Sequence, residues 1–515
     1  EPFVPPRIRV LDAMTASGLR ALRYTLEVPE VASVVANDLD ATALAALREN
    51  VRRNGLSEDV VVPSMGDAVS VMAASKLPTG QQFEAVELDP YGTAAPFLDS
   101  AVQCVAEGGM LMVTCTDLAV LCATYPEKCH AIYGAYPLKA KYCHEAALRI
   151  VLGCIESHAN RHRRYIVPQL CVHINFYVRL FVRVYTSPGE VKKSPTKLSH
   201  VYQCVGCDTY TMQPVARIVE RNGHEKIVAG QGPPVDRQCE HCGRVHHVGG
   251  PLWSAPMHDE KFVRGLLDSL QEGEGQELAS SRRLIGMLTS VMEELPDVPL
   301  FHQLNHMCSV LHVTTPTLLA AVSALMRQGY RVSRSHTDAS AIKTDAPNSA
   351  LWDVLRCWAK TQTQFQSKKG GMSDTAPGTR IMATPPAVEA DFTPTKEATA
   401  LLSKKSEDGV KLSRFLPNPD EWGPGSRGTS HAQFAPADNG EGAVDGAANG
   451  GDASAPAAAE VRGAYGANGA SMLDKRARLQ NKRAKKRQAL AAADGATATP
   501  GDEGEEGGGE GAGEQ

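Results

Sequence analysis

The sequence predicts an α/β fold built on a mainly parallel sheet. Between residues 8 and 117, short apolar runs alternate with segments of helical periodicity, which is typical of consecutive strand–helix–strand units. An acidic residue or a glycine also follows each of the first four predicted strands. Because ligands of open parallel sheets bind beyond the carboxyl ends of the strands, the second observation predicts a ligand site at that edge.

The elements of this sheet follow from the pattern in chain order. The predicted strands are residues 8–13, 31–38, 60–68, 83–90 and 108–117. The first two predicted helices are residues 17–27 and 41–56. In the second helix, Leu44, Leu47 and Val51 share one face, and Gly55 suits its carboxyl end. Residues 170–187 are rich in β-branched and aromatic side chains, which predicts one or two late, antiparallel strands.

The composition changes three times after this region, and these changes predict that the chain consists of four segments. These are a sheet domain at 1–200, a Cys-, His- and Gly-rich insertion at 201–256, a further domain at 257–430 and a tail at 431–515. The further domain is again helical in pattern, with Thr317 as a helix cap and Gly329 at the end of that helix. The Gly/Ala-rich tail is expected to be disordered, because it cannot bury enough apolar surface to fold.

Composition and charge limit the class of protein. Hydrophobic residues make up 43% of the 515 residues, so a sizeable core is possible, and 13 cysteines occur mostly singly in apolar runs, as Cys104, Cys115 and Cys171 do. Such cysteines are typical of buried free thiols. We find neither a long apolar stretch nor a signal peptide. We therefore expect an intracellular protein without a membrane partner or an obligate protein partner. We also expect a segment upstream of Glu1, because the chain starts within a strand-like run.

The strand ends suit a ligand made of adenosine and an amino acid. Asp12 ends the first strand, and Gly18 lets the backbone approach a ligand in the turn that follows. A carboxylate at Asp38 can take both hydroxyls of a ribose, and one at Asp67 can accept from the adenine N6 amine. Arg20 can pair with the ligand's carboxylate. The G-x-G-x-x-G fingerprint of dinucleotide sites is absent, so we predict S-adenosylmethionine as cofactor, although acids at these positions also cap helices.

The tetrapeptide Asp89-Pro90-Tyr91-Gly92 follows the apolar strand FEAVEL and is the most specific signal. The exocyclic amine of a purine is a poor nucleophile, because its lone pair is delocalised into the ring. A carboxylate and a backbone carbonyl that accept both N–H bonds would direct the lone pair at a methyl sulfonium. Pro90 stiffens such a turn, and Tyr91 offers a face on which a flipped base stacks. We predict Asp89, Pro90 and Tyr91 as catalytic residues. The alternative is a turn without chemical role, and Glu87 is either a supporting acid or a solvated edge residue.

Several further stretches are distinctive, and together they span about residues 8–425. They include LDAMTASGLRALRY, ANDLD, ELDPYGTAAPFLDSA, YPLKAKYCHEAALRI, GPLWSAP, SHTDASAIKTDAP and FLPNPDEWGP. Together they resemble one family, the tRNA guanine-26 N2-dimethyltransferases. The resemblance implies a class I S-adenosylmethionine-dependent methyltransferase domain, Rossmann-like in fold, followed by a family-specific α+β C-terminal domain. It implies cofactor roles for Arg20, Asp38, Asp67 and Ala68 and a catalytic role for Asp89. The chain departs from the family pattern at Glu87, where an Asp is common.

The resemblance also implies the substrate. It predicts tRNA as partner, an RNA-binding role for residues 257–430, and RNA-facing loop positions at His336, Lys343 and Asn418–Trp422. Two alternatives stay open at this stage. One is another RNA base N-methyltransferase, acting on adenine N6 or ribosomal RNA. The other is a non-catalytic protein that binds zinc and RNA on a methyltransferase fold. The intact acids at the strand ends argue against this second alternative.

Two C-x2-C knuckles lie in the insertion, with 31 residues between them. They are formed by Cys204 and Cys207 and by Cys239 and Cys242. Four thiolates at this spacing suit a tetrahedral, structural zinc ion. A redox dithiol is the competing interpretation, and His246 or His247 is an alternative fourth ligand.

The formal net charge of −5 hides strongly charged blocks near the carboxyl end. Residues 471–490 contain eight Lys or Arg and one Asp, whereas residues 501–515 contain six acids and no base. The basic block predicts either nuclear import or RNA contact, and a solvated helix is the plainer interpretation. We expect a nuclear protein, with an organelle or the cytoplasm as alternatives.

Overall fold

A computed structural model describes residues 8–78, 80–273, 278, 280–362, 373–403 and 414–415. The chain divides into two units, Glu1–Trp422 and Gly423–Gln515, and every described residue lies in the first. The predicted tail at 431–515, its basic block at 471–490 and the Asn418–Trp422 segment lie outside the described residues. The domain boundaries predicted within the first unit stay predictions.

A seven-stranded sheet carries the predicted α/β architecture. Its strands are β1 (Ile8–Asp12), β2 (Val31–Asp38), β3 (Val61–Met65), β4 (Phe83–Leu88), β5 (Val105–Cys115), β6 (Arg164–Ile174) and β7 (Tyr177–Thr186). They lie in the order β3-β2-β1-β4-β5-β7-β6. The first five are parallel, and β7 is antiparallel to both β5 and β6. The parallel sheet and the late antiparallel hairpin are both confirmed.

Helices cover both faces of this sheet. They are α1 (Leu19–Glu27), α2 (Ala41–Arg53), α3 (Ala68–Ala74), α4 (Ala95–Cys104), α5 (Leu118–Leu121), α6 (Pro126–Tyr133) and α7 (Cys143–Arg161). Successive strand residues point to opposite faces. Thus Val10 packs in one apolar cluster with Leu44 and Leu47 of α2, whereas Leu11 packs in another with residues of α4 and α7. Burial on both faces explains why the central strands are almost continuously apolar.

The cysteine-rich insertion folds largely as strands. After α8 (Pro188–Lys193) and a short 3-10 turn (Ser194–Lys197), they are β8 (Leu198–Cys204), β9 (Tyr210–Pro214), β10 (Ala216–Arg221), β11 (His224–Ala229) and β12 (His246–Trp253). The strands β12, β8 and β9 form an antiparallel sheet in that order, and β10 and β11 form a separate hairpin. The two cysteine knuckles lie at the end of β8 and just before β12.

The remaining described chain is the expected mixture of helices and strands. Its elements are α9 (Glu260–Glu272), α10 (Ser281–Met292), β13 (His302–Gln303), α11 (Leu304–Val310), α12 (Leu318–Arg327), β14 (Val332–Ser335), β15 (Asp338–Thr344), α13 (Asn348–Lys360), α14 (Pro377–Ala383) and α15 (Lys396–Leu401). Thr317 caps α12 by accepting from the Ala320 N–H at 3.2 Å, and Gly329 follows that helix with a φ of 87°. Within the described residues, none of the helices has the length and apolar character needed to span a membrane.

Candidate active site

Four acidic side chains lie where the first four parallel strands end. They are Asp12, Asp38, Asp67 and Asp89. Asn37 is buried between these ends, and its side-chain amide donates to the carbonyl oxygens of Ala13 and Gly66, each at 3.0 Å. This amide ties the ends of β1, β2 and β3 to one another. The predicted acids therefore share one edge of the sheet.

The turn at residues 89–92 is held in place by the neighbouring strand. The Gly92 N–H donates to Thr116 Oγ1 at 2.9 Å, and the Thr116 N–H donates to the Gly92 carbonyl at 2.9 Å. Gly92 has a φ of 91°, a conformation that favours glycine. Pro90 is buried beneath the turn, whereas Tyr91 is fully exposed, at 104% of its reference area. The turn thus presents an aromatic ring to solvent on a fixed backbone.

The carboxylate of Asp89 is paired with Arg20. Arg20 Nη1 donates to Asp89 Oδ2 and also lies 3.5 Å from Glu87 Oε1. The Arg20 and Asp89 side chains are 42% and 29% exposed, so both remain open to a ligand from the solvent side. The residue predicted to bind a cofactor carboxylate and the predicted catalytic acid therefore contact each other directly.

Glu87 lies beneath this pair and is completely buried. Its carboxylate accepts from Tyr24 Oη at 2.8 Å and from Arg179 Nη2 at 2.7 Å, with a further short contact to Arg179 Nη1. Arg179 also donates to Thr114 Oγ1 at 2.7 Å. The interpretation of Glu87 as a solvated edge residue is therefore wrong. Arg179 and Tyr24 were not among the predicted site residues, although an arginine inside the apolar strand YVRLFVRVYT signals a buried acid partner.

Asp12 is also buried, at 2% exposure. Burial raises the pKa of its carboxyl group to about 7, although the Thr15 hydroxyl, which donates to Asp12 Oδ2 at 2.8 Å, acts in the opposite direction. The nearby negative charge of Glu87 raises the pKa further. Asp12 therefore titrates near neutrality beneath the edge, unlike an ordinary surface carboxylate.

The other two acids hold backbone at the edge. Asp38 is half-buried, and its carboxylate accepts from the N–H groups of Ala16 at 2.8 Å and Asp40 at 3.0 Å. Asp67 is exposed and caps α3, accepting from Ser70 N and Oγ at 2.9 Å each. The backbone hydrogen bond from Ser70 lowers the pKa of Asp67. Asp67 therefore acts as a helix cap in this structure, as the alternative interpretation of these acids had it.

Gly18 and Ala68 are placed by packing. Gly18 has a φ of 81°, and a Cβ built on it would lie 2.1 Å from Leu47 Cδ1 of α2. The backbone conformation and the close approach of α2 both require a glycine here. The approach of a ligand to Gly18 stays a prediction. Ala68 is the first residue of α3 and is buried beside Asp67.

Comparison with known proteins places the chain in a family. The sequence profile of TRM, N2,N2-dimethylguanosine tRNA methyltransferase, matches residues 4–356. The chain belongs to this family. It is 46% identical to the tRNA (guanine(26)-N(2))-dimethyltransferase 1 of Arabidopsis thaliana over 423 residues, which cover 82% of this chain and 68% of that protein.

Two further proteins are similar to this chain over most of its length. The mitochondrial tRNA (guanine(26)-N(2))-dimethyltransferase of Saccharomyces cerevisiae is 35% identical, over 82% of this chain and 76% of the yeast protein. The solved complex of Trm1 from Pyrococcus horikoshii with S-adenosyl-L-methionine superposes with a TM-score of 0.58 at 28% identity, covering 68% of this chain and 88% of the archaeal one. The class I methyltransferase fold expected from the sequence is therefore confirmed.

The four knuckle cysteines form one buried cluster, as predicted. The ligand atoms of Cys204, Cys207, Cys239 and Cys242 all lie within 4.8 Å of one another. The Sγ–Sγ distances are 3.2 Å between Cys204 and Cys242 and 3.7 Å between Cys207 and Cys239. These cysteines pack in the same apolar cluster as residues of α11, α12 and α13. The cluster therefore joins the insertion to the C-terminal part of the family fold.

His336 and Lys343 do not lie on an RNA-facing surface, so that expectation is wrong. They are 7% and 1% exposed. His336 Nδ1 lies 2.6 Å from Glu294 Oε1, and Lys343 Nζ donates to Glu145 Oε1 of α7 at 2.8 Å. Buried charges need such partners. These residues instead form a buried charged contact between the methyltransferase sheet region and the C-terminal elements.

Proposed function

We propose that the chain transfers methyl groups from S-adenosylmethionine to the exocyclic N2 of guanine 26 in tRNA, giving N2-methylguanosine and then N2,N2-dimethylguanosine. Membership in the family and the names of its similar members support this substrate. The observation that carries the chemistry is the turn at 89–92. It combines a carboxylate, a buried proline and a fully exposed aromatic ring at the ligand edge of the sheet.

Each residue of the turn has a distinct role in this proposal. Tyr91 stacks on the flipped guanine, since its ring is open to solvent. The Asp89 carboxylate and the Pro90 carbonyl accept the two N–H bonds of the amine and so direct its lone pair. When bound, S-adenosylmethionine supplies an electrophilic methyl group. Asp89 also stabilises the positive charge that develops on the amine, and the rigid turn keeps this alignment.

The cofactor residues in this proposal are those of the strand ends. The exposed Asp67 and its neighbour Ala68 bind the adenine. The half-buried Asp38 accepts hydrogen bonds from the ribose hydroxyls, and Arg20 pairs with the amino-acid carboxylate. Asp12 and Gly18 shape the first turn from below. Because Arg20 contacts Asp89 directly, a carboxylate that draws Arg20 away would release Asp89 for the amine.

We further infer that the four-cysteine cluster binds a structural zinc ion. The chemistry of the donor set fits, since four buried thiols lie close together around one point, and four protein ligands leave no open position. Neither His246 nor His247 belongs to this group of ligand atoms. The ion would brace the insertion against the C-terminal helices.

The basic block at 471–490 supports a role in tRNA contact or nuclear import. Eight basic residues within twenty give a sequence-independent attraction to phosphates that weakens with salt. Removing residues 431–515 should reduce the salt-sensitive part of tRNA affinity or nuclear accumulation, while methyl transfer remains. The mitochondrial yeast relative makes an organelle the alternative location.

A pair of matched transcripts tests the proposed reaction. The purified chain is incubated with S-adenosylmethionine and a tRNA carrying guanine at position 26 or the same tRNA carrying adenine there. Nucleoside mass spectrometry should find N2-methylated and N2,N2-dimethylated guanosine only in the first tRNA. Methyladenosine, or equal methylation of both tRNAs, would favour another base methyltransferase. A cofactor titration without binding would favour the non-catalytic alternative.

A further inference from the structure

A second group of metal-binding side chains lies at the junction of two helices. Cys122 directly follows α5, while Cys143 and His144 open α7. Their ligand atoms all lie within 4.8 Å of one another, and all three residues are half-buried. We propose that Cys122, Cys143 and His144 bind a thiophilic metal ion, Zn²⁺ in the cell, with one coordination position open to solvent.

The spacing of the three ligands suits such an ion. Zinc binds sulfur at about 2.3 Å and imidazole nitrogen at about 2.0–2.1 Å, so tetrahedral ligands lie roughly 3.5–3.8 Å apart. Small side-chain rotations bring atoms within 4.8 Å to that spacing. Cys122 Sγ lies 3.6 Å from the Cys143 carbonyl oxygen, a weak contact that a metal bond would replace. Each thiol would release its proton on coordination.

His144 is held ready to act as a ligand. Its ring stacks on that of His173, with centroids 4.1 Å apart and an interplanar angle of 11°. Neither ring nitrogen of His144 has a hydrogen-bond partner among the residues that the structure describes. Stacking thus fixes the ring while leaving a nitrogen lone pair available.

The other candidate cluster fits a metal less well. His258, Glu294 and His336 also converge. However, His336 is already bonded to Glu294, and Lys343 Nζ lies 3.5 Å from Glu294 Oε2. The lysine supplies the positive charge that a metal would bring. By contrast, the group at Cys122, Cys143 and His144 offers two thiols and an imidazole.

The position of the proposed ion bears on the candidate active site. Helix α5 begins two residues after Thr116, which holds Gly92 of the turn at 89–92. An ion at the junction would tie the end of α5 to the start of α7. The open coordination position also distinguishes this site from the closed four-cysteine cluster, since three protein ligands are typical of sites that exchange a water or an added ligand.

Cobalt binding to the full chain tests the proposal. Thiolate-to-cobalt absorption is followed while Co²⁺ is added to metal-free, reduced protein. We expect a second equivalent beyond the one bound by the four-cysteine cluster. Cys143→Ser should lose that second equivalent, whereas the matched control Cys357→Ala, which removes a buried thiol of α13 outside both clusters, should keep it. A wild-type chain that binds only the equivalent removed by Cys239→Ser would overturn the proposal.

Thiol labelling supplies a measurement that needs no variant. Zn²⁺ should slow alkylation of Cys122 and Cys143 together, as read by mass spectrometry of the modified peptides. Equal labelling rates with and without Zn²⁺ would overturn the proposal, even if Cys143→Ser fails to fold. His144→Asn keeps both thiols and should also lose the second cobalt equivalent. None of these readouts depends on methyl transfer, so they stand apart from the proposed function.

Discussion

Replacing Asp89 with alanine should slow methyl transfer strongly while leaving the fold almost intact. The side chains of Asp89 and Arg20 are 29% and 42% exposed. An ion pair with this much exposure contributes at most about 1 kcal/mol to stability. Glu87 Oε1 lies 3.5 Å from Arg20 Nη1, so we expect the arginine to keep a partner in the variant. We therefore expect the free energy of unfolding to fall by less than about 1 kcal/mol.

The effect on the reaction should be much larger. Removing one preorganised group that stabilises transition-state charge costs on the order of 10²–10³ in rate, or about 2.7–4 kcal/mol. The affinity for tRNA should change little, because the carboxylate is needed mainly in the transition state. The affinity for S-adenosylmethionine should not fall, because Arg20 is freed from Asp89 and becomes available to the cofactor's carboxylate.

Single-turnover transfer of labelled methyl to tRNA measures the rate, and calorimetry measures cofactor affinity. The matched control is Asp40→Ala, which removes another acid from the same edge. Asp40 caps α2 by accepting from the Thr42 N–H at 2.8 Å, so its loss should cost about 1 kcal/mol of stability with little effect on rate. Near wild-type transfer by Asp89→Ala, or an equal loss in the control, would refute the catalytic assignment.

Three further predictions follow from the described residues. Tyr91→Ala should weaken tRNA capture by about 1–3 kcal/mol in a binding titration, whereas Tyr91→Phe keeps the ring face and should bind normally; equal losses would contradict stacking. Cys239→Ser should release a zinc ion and lower the melting temperature, because metal binding and folding are coupled; protein purified without chelators that contains no zinc would contradict this. Asp12 has a pKa raised from 3.8 to about 7, so it contributes stability that is present below about pH 4 and is lost as the pH rises towards 7. The stability of the wild type relative to Asp12→Asn should therefore decline over that range, and a flat difference in denaturant unfolding would disprove the shift.

Much of the sheet region could be predicted from local pattern. The five parallel strands and the first two helices overlap their predicted positions, with boundaries that differ by up to three residues, because strand and helix periodicities are properties of short windows. The four knuckle cysteines could also be predicted from the sequence, since a thiol pair at C-x2-C spacing has few structural uses other than metal binding. Their convergence into one buried cluster confirms the grouping.

The errors concern buried charges. His336 and Lys343 lie in a polar stretch that resembles a surface loop, yet Glu145 and Glu294 hold them in the interior. Lys343 and Glu145 are 198 residues apart, so no local window contains both partners. The prediction from family resemblance placed these residues on an RNA surface because it carried no information about burial.

The sequence alone determined the fold class, the edge of the sheet that bears the acids, the turn at 89–92 and the cysteine ligand set. The tertiary structure decided which charges meet: Arg20 with Asp89, Arg179 with Glu87, and Lys343 with Glu145. It also showed that Thr116 fastens the turn. The physical reason is range. Periodicity and spacing act over a few residues, whereas the partner of a buried charge depends on which strands and helices become neighbours, and that is settled only when the chain packs.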